Sequence, residues 1–116
     1  YDADDRALRY RWERLTVSLR CGLHVNRPNI IRLYLACGQR LMREGVGKPS
    51  PMYIHMLQTL ANTATDAALP VVWRHLCAEH FDLPLARLRT LLRDDPEKLN
   101  ALVLRVAAVR HQLLKA

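Results

Sequence analysis

Asn26, Arg27 and Asn29 fall within one four-residue window of the run RCGLHVNRPNIIRLY, residues 20–34. Two carboxamides and a guanidinium offer the donors and acceptors that contact phosphates and base edges. Arg20, Arg32, Arg40 and Arg43 surround them, and a guanidinium stays charged and meets phosphate as a two-pronged donor. These residue types suit recognition of a polyanion, with duplex DNA as the expected partner. The same run holds Cys21 and His24, and a second Cys-x-x-His pair stands at Cys77 and His80, with His75 nearby. Each pair would place a thiolate and an imidazole about one helical turn apart, which is half of a Cys2His2 zinc site. The halves are far apart in the chain and nothing forces them together. Buried structural side chains are therefore the reading, and no metal or other cofactor is expected.

The charge distribution supports the polyanion reading. The formal net charge is +7, and residues 6–43 hold nine arginines (6, 9, 11, 14, 20, 27, 32, 40, 43) against one acid, Glu13. Residues 49–116 carry eight basic and six acidic groups, close to balance. A field concentrated in the first third fits a polyanion or an acidic partner at that end; a solvated basic face is the plainer alternative. Catalytic signatures are missing: there is no glycine-rich phosphate loop, no nucleophile elbow, and the acids Asp94, Asp95 and Glu97 punctuate a helix. No enzyme and no small-molecule substrate are expected.

With 116 residues, half of them apolar, one domain over 1–116 is expected. Three cysteines without tight spacing suggest neither a disulfide framework nor a zinc ribbon. No apolar run reaches membrane-spanning length, and Tyr1-Asp2-Ala3-Asp4-Asp5 has neither part of a secretory leader, so the expected location is cytoplasmic, with no membrane partner. The chain begins on Tyr1 and not on methionine, which leaves room for flanking segments with functions of their own.

The elements that must position these residues are helical. Apolar residues recur at intervals of three and four and strand alternation is absent, so the fold class is all-α, a compact bundle of about five to six helices. A helix over 4–23 would bury Leu8, Trp12, Leu15, Leu19 and Leu23, with Trp12 a core anchor. A second over 27–44 would start at an Asn26 or Arg27 cap with Pro28 in its first turn and a Val25–Ile30 staple. It would bury Ile30, Tyr34, Cys37 and Leu41 and end at Gly45. This basic N-terminal part, 4–45, gives way to a Gly/Pro loop over 45–51 and a C-terminal helical part over 51–116. There, Ser50 would cap a third helix carrying Tyr53, Met56, Leu57 and Leu60. After a break near 62–66, Asp66 would cap a fourth with Leu69, Val72, Trp73 and Leu76. A fifth would run from Asp82 to Arg93, and Asp95-Pro96-Glu97 would start a sixth with Leu102, Val106, Val109 and Leu113.

Two stretches can be tested as a helix-turn-helix, which needs a small residue in its first helix, a tight turn and a fixed apolar frame. In the first, Leu19, Leu23, Val25, Ile30 and Leu33 form the frame and Asn26, Arg27 and Asn29 head the second helix. Arg20 and His24 occupy positions usually held by a small residue and a glycine. In the second, residues 77–92, Ala78, Phe81, Leu83, Leu88 and Leu91 fit the frame better. Its exposed head would be Pro84, Leu85 and Ala86, which donate no side-chain hydrogen bond, so it reads as a structural hairpin. The local arginines favour residues 20–34 as the DNA-contacting corner.

The runs VNRPNIIRLY and GKPSPM, with VVWRHL at 71–76, resemble the FlhC-type subunit of the flagellar master transcription activator, whose relatives occur on conjugative elements. Val25, Asn26, Arg27, Ile30, Ile31, Arg32, Leu33 and Tyr34 match in type, and the likeness covers about residues 15–76 with gaps. About ten extra residues separate Tyr34 from the loop, and that family's C-terminal zinc cysteines are missing. The resemblance implies a DNA-binding activator in a hetero-oligomer with a FlhD-like partner. The expected function is a DNA-binding transcriptional regulator working as a homo- or hetero-oligomer, with Asn26, Arg27 and Asn29 at bases and Arg20, Arg32, Arg40 and Arg43 at phosphates. The alternative is a helical protein–protein interaction module, an adaptor or secretion-type chaperone, turning its arginine face to an acidic protein.

Overall fold

The computed structural model describes residues 2–116; Tyr1, where the expected domain begins, lies outside the described residues. The described residues form six helices and no strand: α1 (Asp2–Arg20), α2 (Asn29–Arg43), α3 (Pro49–Ala64), α4 (Val71–Glu79), α5 (Asp82–Leu91) and α6 (Pro96–Leu113). The all-α expectation holds. Among the described residues no helix is long and apolar enough to cross a membrane.

The Cα trace measures 47 × 38 × 16 Å, a depth that fits two helix layers spaced about 8–10 Å apart. Helix α3 packs against all five others. Its composition explains why: Met52, Tyr53, Met56, Leu57, Leu60, Ala61 and Ala64 make a broad buried face, opposite an exposed stripe of Pro51, His55, Gln58 and Asn62, and the Thr63 hydroxyl donates to the Thr59 carbonyl at 2.7 Å. The buried C-terminal end of α3 gets a side-chain donor for a carbonyl its own helix leaves open. Arg74, buried on α4, donates its Nε–H to the Ala64 carbonyl at 2.8 Å.

Helices α1 and α2 form an antiparallel hairpin. The Cys37 thiol approaches the Leu8 carbonyl at 3.8 Å, the Trp12 ring stacks on Tyr34 and donates to its carbonyl at 3.1 Å, and an Arg9 guanidinium nitrogen donates to the Val46 carbonyl at 3.1 Å. Both helices end in the same device. Gly22 and Gly45 take positive φ, 60° and 73°, and close Schellman turns: Leu23 N–H to Ser18 C=O and Gly22 N–H to Leu19 C=O, then Val46 N–H to Leu41 C=O and Gly45 N–H to Met42 C=O. Gly45 ends α2 as expected. Gly22 ends α1 at Arg20, three residues before the expected 23, so Leu23 leaves the buried stripe and is 60% exposed.

Other boundaries move for identifiable reasons. Pro28, not Asn26 or Arg27, precedes α2 as its N-cap, with no side-chain cap bond, and the proposed staple residue Val25 is exposed. Lys48, not Ser50, is the N-cap of α3, so Pro49 and Pro51 both lie in its first turn. Asp66 caps a turn instead of a helix: its carboxylate accepts from Ala68 N–H, and Pro70 holds Leu69 away from helical geometry until α4 starts at Val71. Helix α5 stops at Leu91, and α6 starts as expected, with the Asp95 carboxylate accepting from Lys98 N–H at 3.3 Å. Leu102 is half-buried, whereas Val106, Val109 and Leu113 are fully in the core.

Candidate nucleic-acid interface

The connector between α1 and α2 spans eight residues, 21–28. A helix-turn-helix uses about three to four. The apolar frame expected for that motif is also only partly used: Leu19 and Ile30 are buried, while Leu23, Val25 and Leu33 are exposed. Turn hydrogen bonds from Arg27 N–H to His24 C=O and from Ile30 N–H to Arg27 C=O order the connector, and Gly22 seats it against Leu69 and Trp73. The tip of a hairpin therefore takes the place of the tight corner. The second stretch comes closer in connection length, with α4 and α5 joined through His80 and Phe81, yet Pro84 and Leu85 at its expected head are buried.

Asn26 and Arg27 lie on that tip and Asn29 opens α2; all three are exposed. Arg32, Arg40 and Arg43 are exposed along α2, and helical spacing sets them on the side away from its buried stripe of Ile30, Tyr34, Cys37 and Leu41. No acid occurs between Asn26 and Arg43. Arg40 pairs with Glu44 one turn on, at 3.2 Å, as a solvent-exposed i,i+4 pair that screens little of its charge. Arg20 differs. Its guanidinium meets the Asp66 carboxylate at 2.7 Å and holds that carboxyl below its ordinary value, helped by the Ala68 N–H. Its role in the structure is to tie the end of α1 to the turn after α3.

Burial pushes the Cys37 thiol up, and the charges of Arg11 on α1 and Arg40 on α2 both oppose that shift. Arg14 lies over the Tyr10 ring, 5.8 Å from its centre. Sequence reasoning missed one further cation: Arg87 on α5, exposed, lines a groove together with Arg43. No local motif marks it, because α5 lies in the charge-balanced half of the chain.

On the α3 side of the hairpin, Trp12, expected in the core, is half-buried and floors an open hollow of about 520 Å³ with Thr16, Val17, Leu41, Val46, Met52 and His55. The His55 Nδ1 and the Tyr34 hydroxyl lie 3.0 Å apart beneath it. Burial pushes the Tyr34 phenol up to about 12, keeping it protonated, and burial lowers the His55 imidazole, keeping it neutral. The arrangement is a neutral hydrogen-bonded support for the helix junction.

The expectation of buried structural side chains for the Cys-x-x-His pairs fits Cys77 but not Cys21 and His24, which the early end of α1 leaves exposed. Cys21 is exposed; Cys77 is fully buried, its thiol pushed up to about 12 by desolvation, and the His80 Nδ1 lies 2.8 Å from the Leu76 carbonyl. Among the described residues no three His, Cys, Asp or Glu groups gather as metal ligands would. Comparison of the chain with protein-family models, curated proteins and solved structures finds no match.

Proposed function

We propose that this protein is a DNA-binding regulator of the transcription-activator type that contacts duplex DNA through the α1–α2 hairpin. The observation that carries the reading is the acid-free run from Asn26 to Arg43, whose exposed side chains include two asparagines on and beside a hairpin tip and four arginines on the tip and one outward helix face. Asn26, Arg27 and Asn29 contact base edges from the tip, while Arg32, Arg40 and Arg43 lie on backbone phosphates. Arg20 contributes through Asp66, as a structural tie. The resemblance of residues 25–34 to the FlhC-type activators supports the same reading and, with it, a hetero-oligomeric assembly.

The test is an Arg27→Ala, Arg32→Ala double variant titrated with duplex DNA at low salt. Both side chains are exposed, so the fold should persist. The double variant should bind at least about tenfold more weakly, from the loss of a base contact and a phosphate contact. Binding equal to the parent's would refute the assignment.

A further inference from the structure

Two hollows run end to end between α2 and α5. The first is lined by Arg32, Leu35 and Gln39 of α2 and by His80 and Leu83 across it. The second, about 630 Å³, is lined by Gln39, Met42 and Arg43 of α2 and by Arg87, Thr90 and Leu91 of α5, with Tyr53 of α3 alongside. Gln39 belongs to both, so they form one groove. From Arg32 to Arg43 it extends about 16 Å at 1.5 Å per helical residue, room for more than one phosphate. Arg32, Arg43 and Arg87 are exposed and lack ion pairs among the described residues; Glu79, beside Arg32, is the one acid in the groove's lining.

We propose that this groove is a phosphodiester track, in which Arg43 and Arg87 grip one backbone phosphate from opposite walls and Arg32 a second phosphate of the same strand. The assignment rests on the DNA reading above and extends the contact surface to α5. Charge complementarity carries it: three unpaired guanidiniums against one carboxylate, with Gln39 and Thr90 as neutral donors beside the Arg43–Arg87 gap. Donors from two walls suit a tetrahedral anion that accepts on several sides. Met42, Tyr53 and Leu91 complete the lining, with the Gln39 amide donating to the Tyr53 hydroxyl at 3.4 Å.

The experiment compares the parent, Arg87→Ala, Arg105→Ala and the Arg27→Ala, Arg32→Ala double variant on a duplex of about 20 base pairs across a salt series. Arg105→Ala removes the same charge from α6, at a residue bonded to Asn62 at 3.0 Å and outside the groove lining. Arg87→Ala should raise Kd about three- to tenfold and lower the salt slope by no more than about 0.9, since Arg43 still holds the shared phosphate, while Arg105→Ala stays within about twofold of the parent. If Arg87→Ala matches the parent in both quantities while the double variant loses binding, the track is wrong and the hairpin reading stands. If the parent binds no duplex at low salt, the hairpin reading falls and the track with it. Displacement of the DNA by poly-glutamate as readily as by unlabelled duplex at equal charge would overturn the phosphate assignment in favour of an acidic protein.

Discussion

The Arg20 guanidinium and the Asp66 carboxylate sit 2.7 Å apart, joining the last turn of α1 to the turn that follows α3. An arginine in the middle of the basic segment is thus committed to the protein itself. Arg20→Ala should lower the urea midpoint while leaving the salt slope of DNA binding within error of the parent, in contrast to Arg32→Ala. The same pair sets an acid limit. Asp66 is held below its ordinary 3.8, so the stability it contributes is complete above that value and is lost as pH falls through its folded value. Urea titrations down the acid range should show this loss in the parent and a smaller one in Arg20→Ala.

Trp73, fully buried, donates its indole N–H to the Leu19 carbonyl at 3.0 Å and so fixes the hairpin onto α4. Trp73→Phe removes the donor and part of the ring. Unfolding stability should drop by about 2–4 kcal/mol, combining a lost hydrogen bond with a partly unfilled site. Chemical denaturation followed by circular dichroism measures it.

Gly22 is a second lock on the same junction. Its φ of +60° disfavours any Cβ, and a Cβ there would stand 2.9 Å from a Leu69 methyl. Gly22→Ala should cost about 1–2 kcal/mol, against the small gain that the same change brings at an unstrained site. Gly45→Ala shares the backbone strain but meets open space, so it should cost less; the difference between the two midpoints isolates the Leu69 contact.

His55 makes stability pH-dependent in a defined direction. Burial lowers its folded value below the ordinary 6.5, so the folded state favours the neutral ring. Its contribution is complete above 6.5 and declines as pH falls from there through the folded value. The urea midpoint should therefore fall in the parent as pH drops below 6.5, and His55→Gln should flatten that segment.

Much of the fold is legible in local chemistry. Gly45, Asp95-Pro96 and the period of Ile30, Tyr34, Cys37 and Leu41 each settle a boundary or a face by interactions among neighbours in the chain. Gly22 carried an equally local signal, a glycine able to adopt the left-handed cap, which outweighs the apolar match at Leu23. The rest depends on partners distant in sequence. Asp66 has the composition of a helix cap, and only its approach to Arg20 and the restraint from Pro70 make it a turn instead. Arg20 looks equivalent to Arg32 until the fold brings a carboxylate to it. Arg87 gains meaning only when α5 is laid beside α2, because a groove across two helices has no periodicity to read.

The central claim is that the hairpin's exposed arginines bind duplex DNA, and the dependence of the parent's affinity on salt tests it most directly. Each neutralised phosphate contributes about 0.9 to the slope of log K against log salt. With Arg32, Arg40 and Arg43 on phosphates, the expected slope is about −3, and binding should tighten steeply as salt is lowered. No binding at low salt, or a slope near zero, would contradict the account.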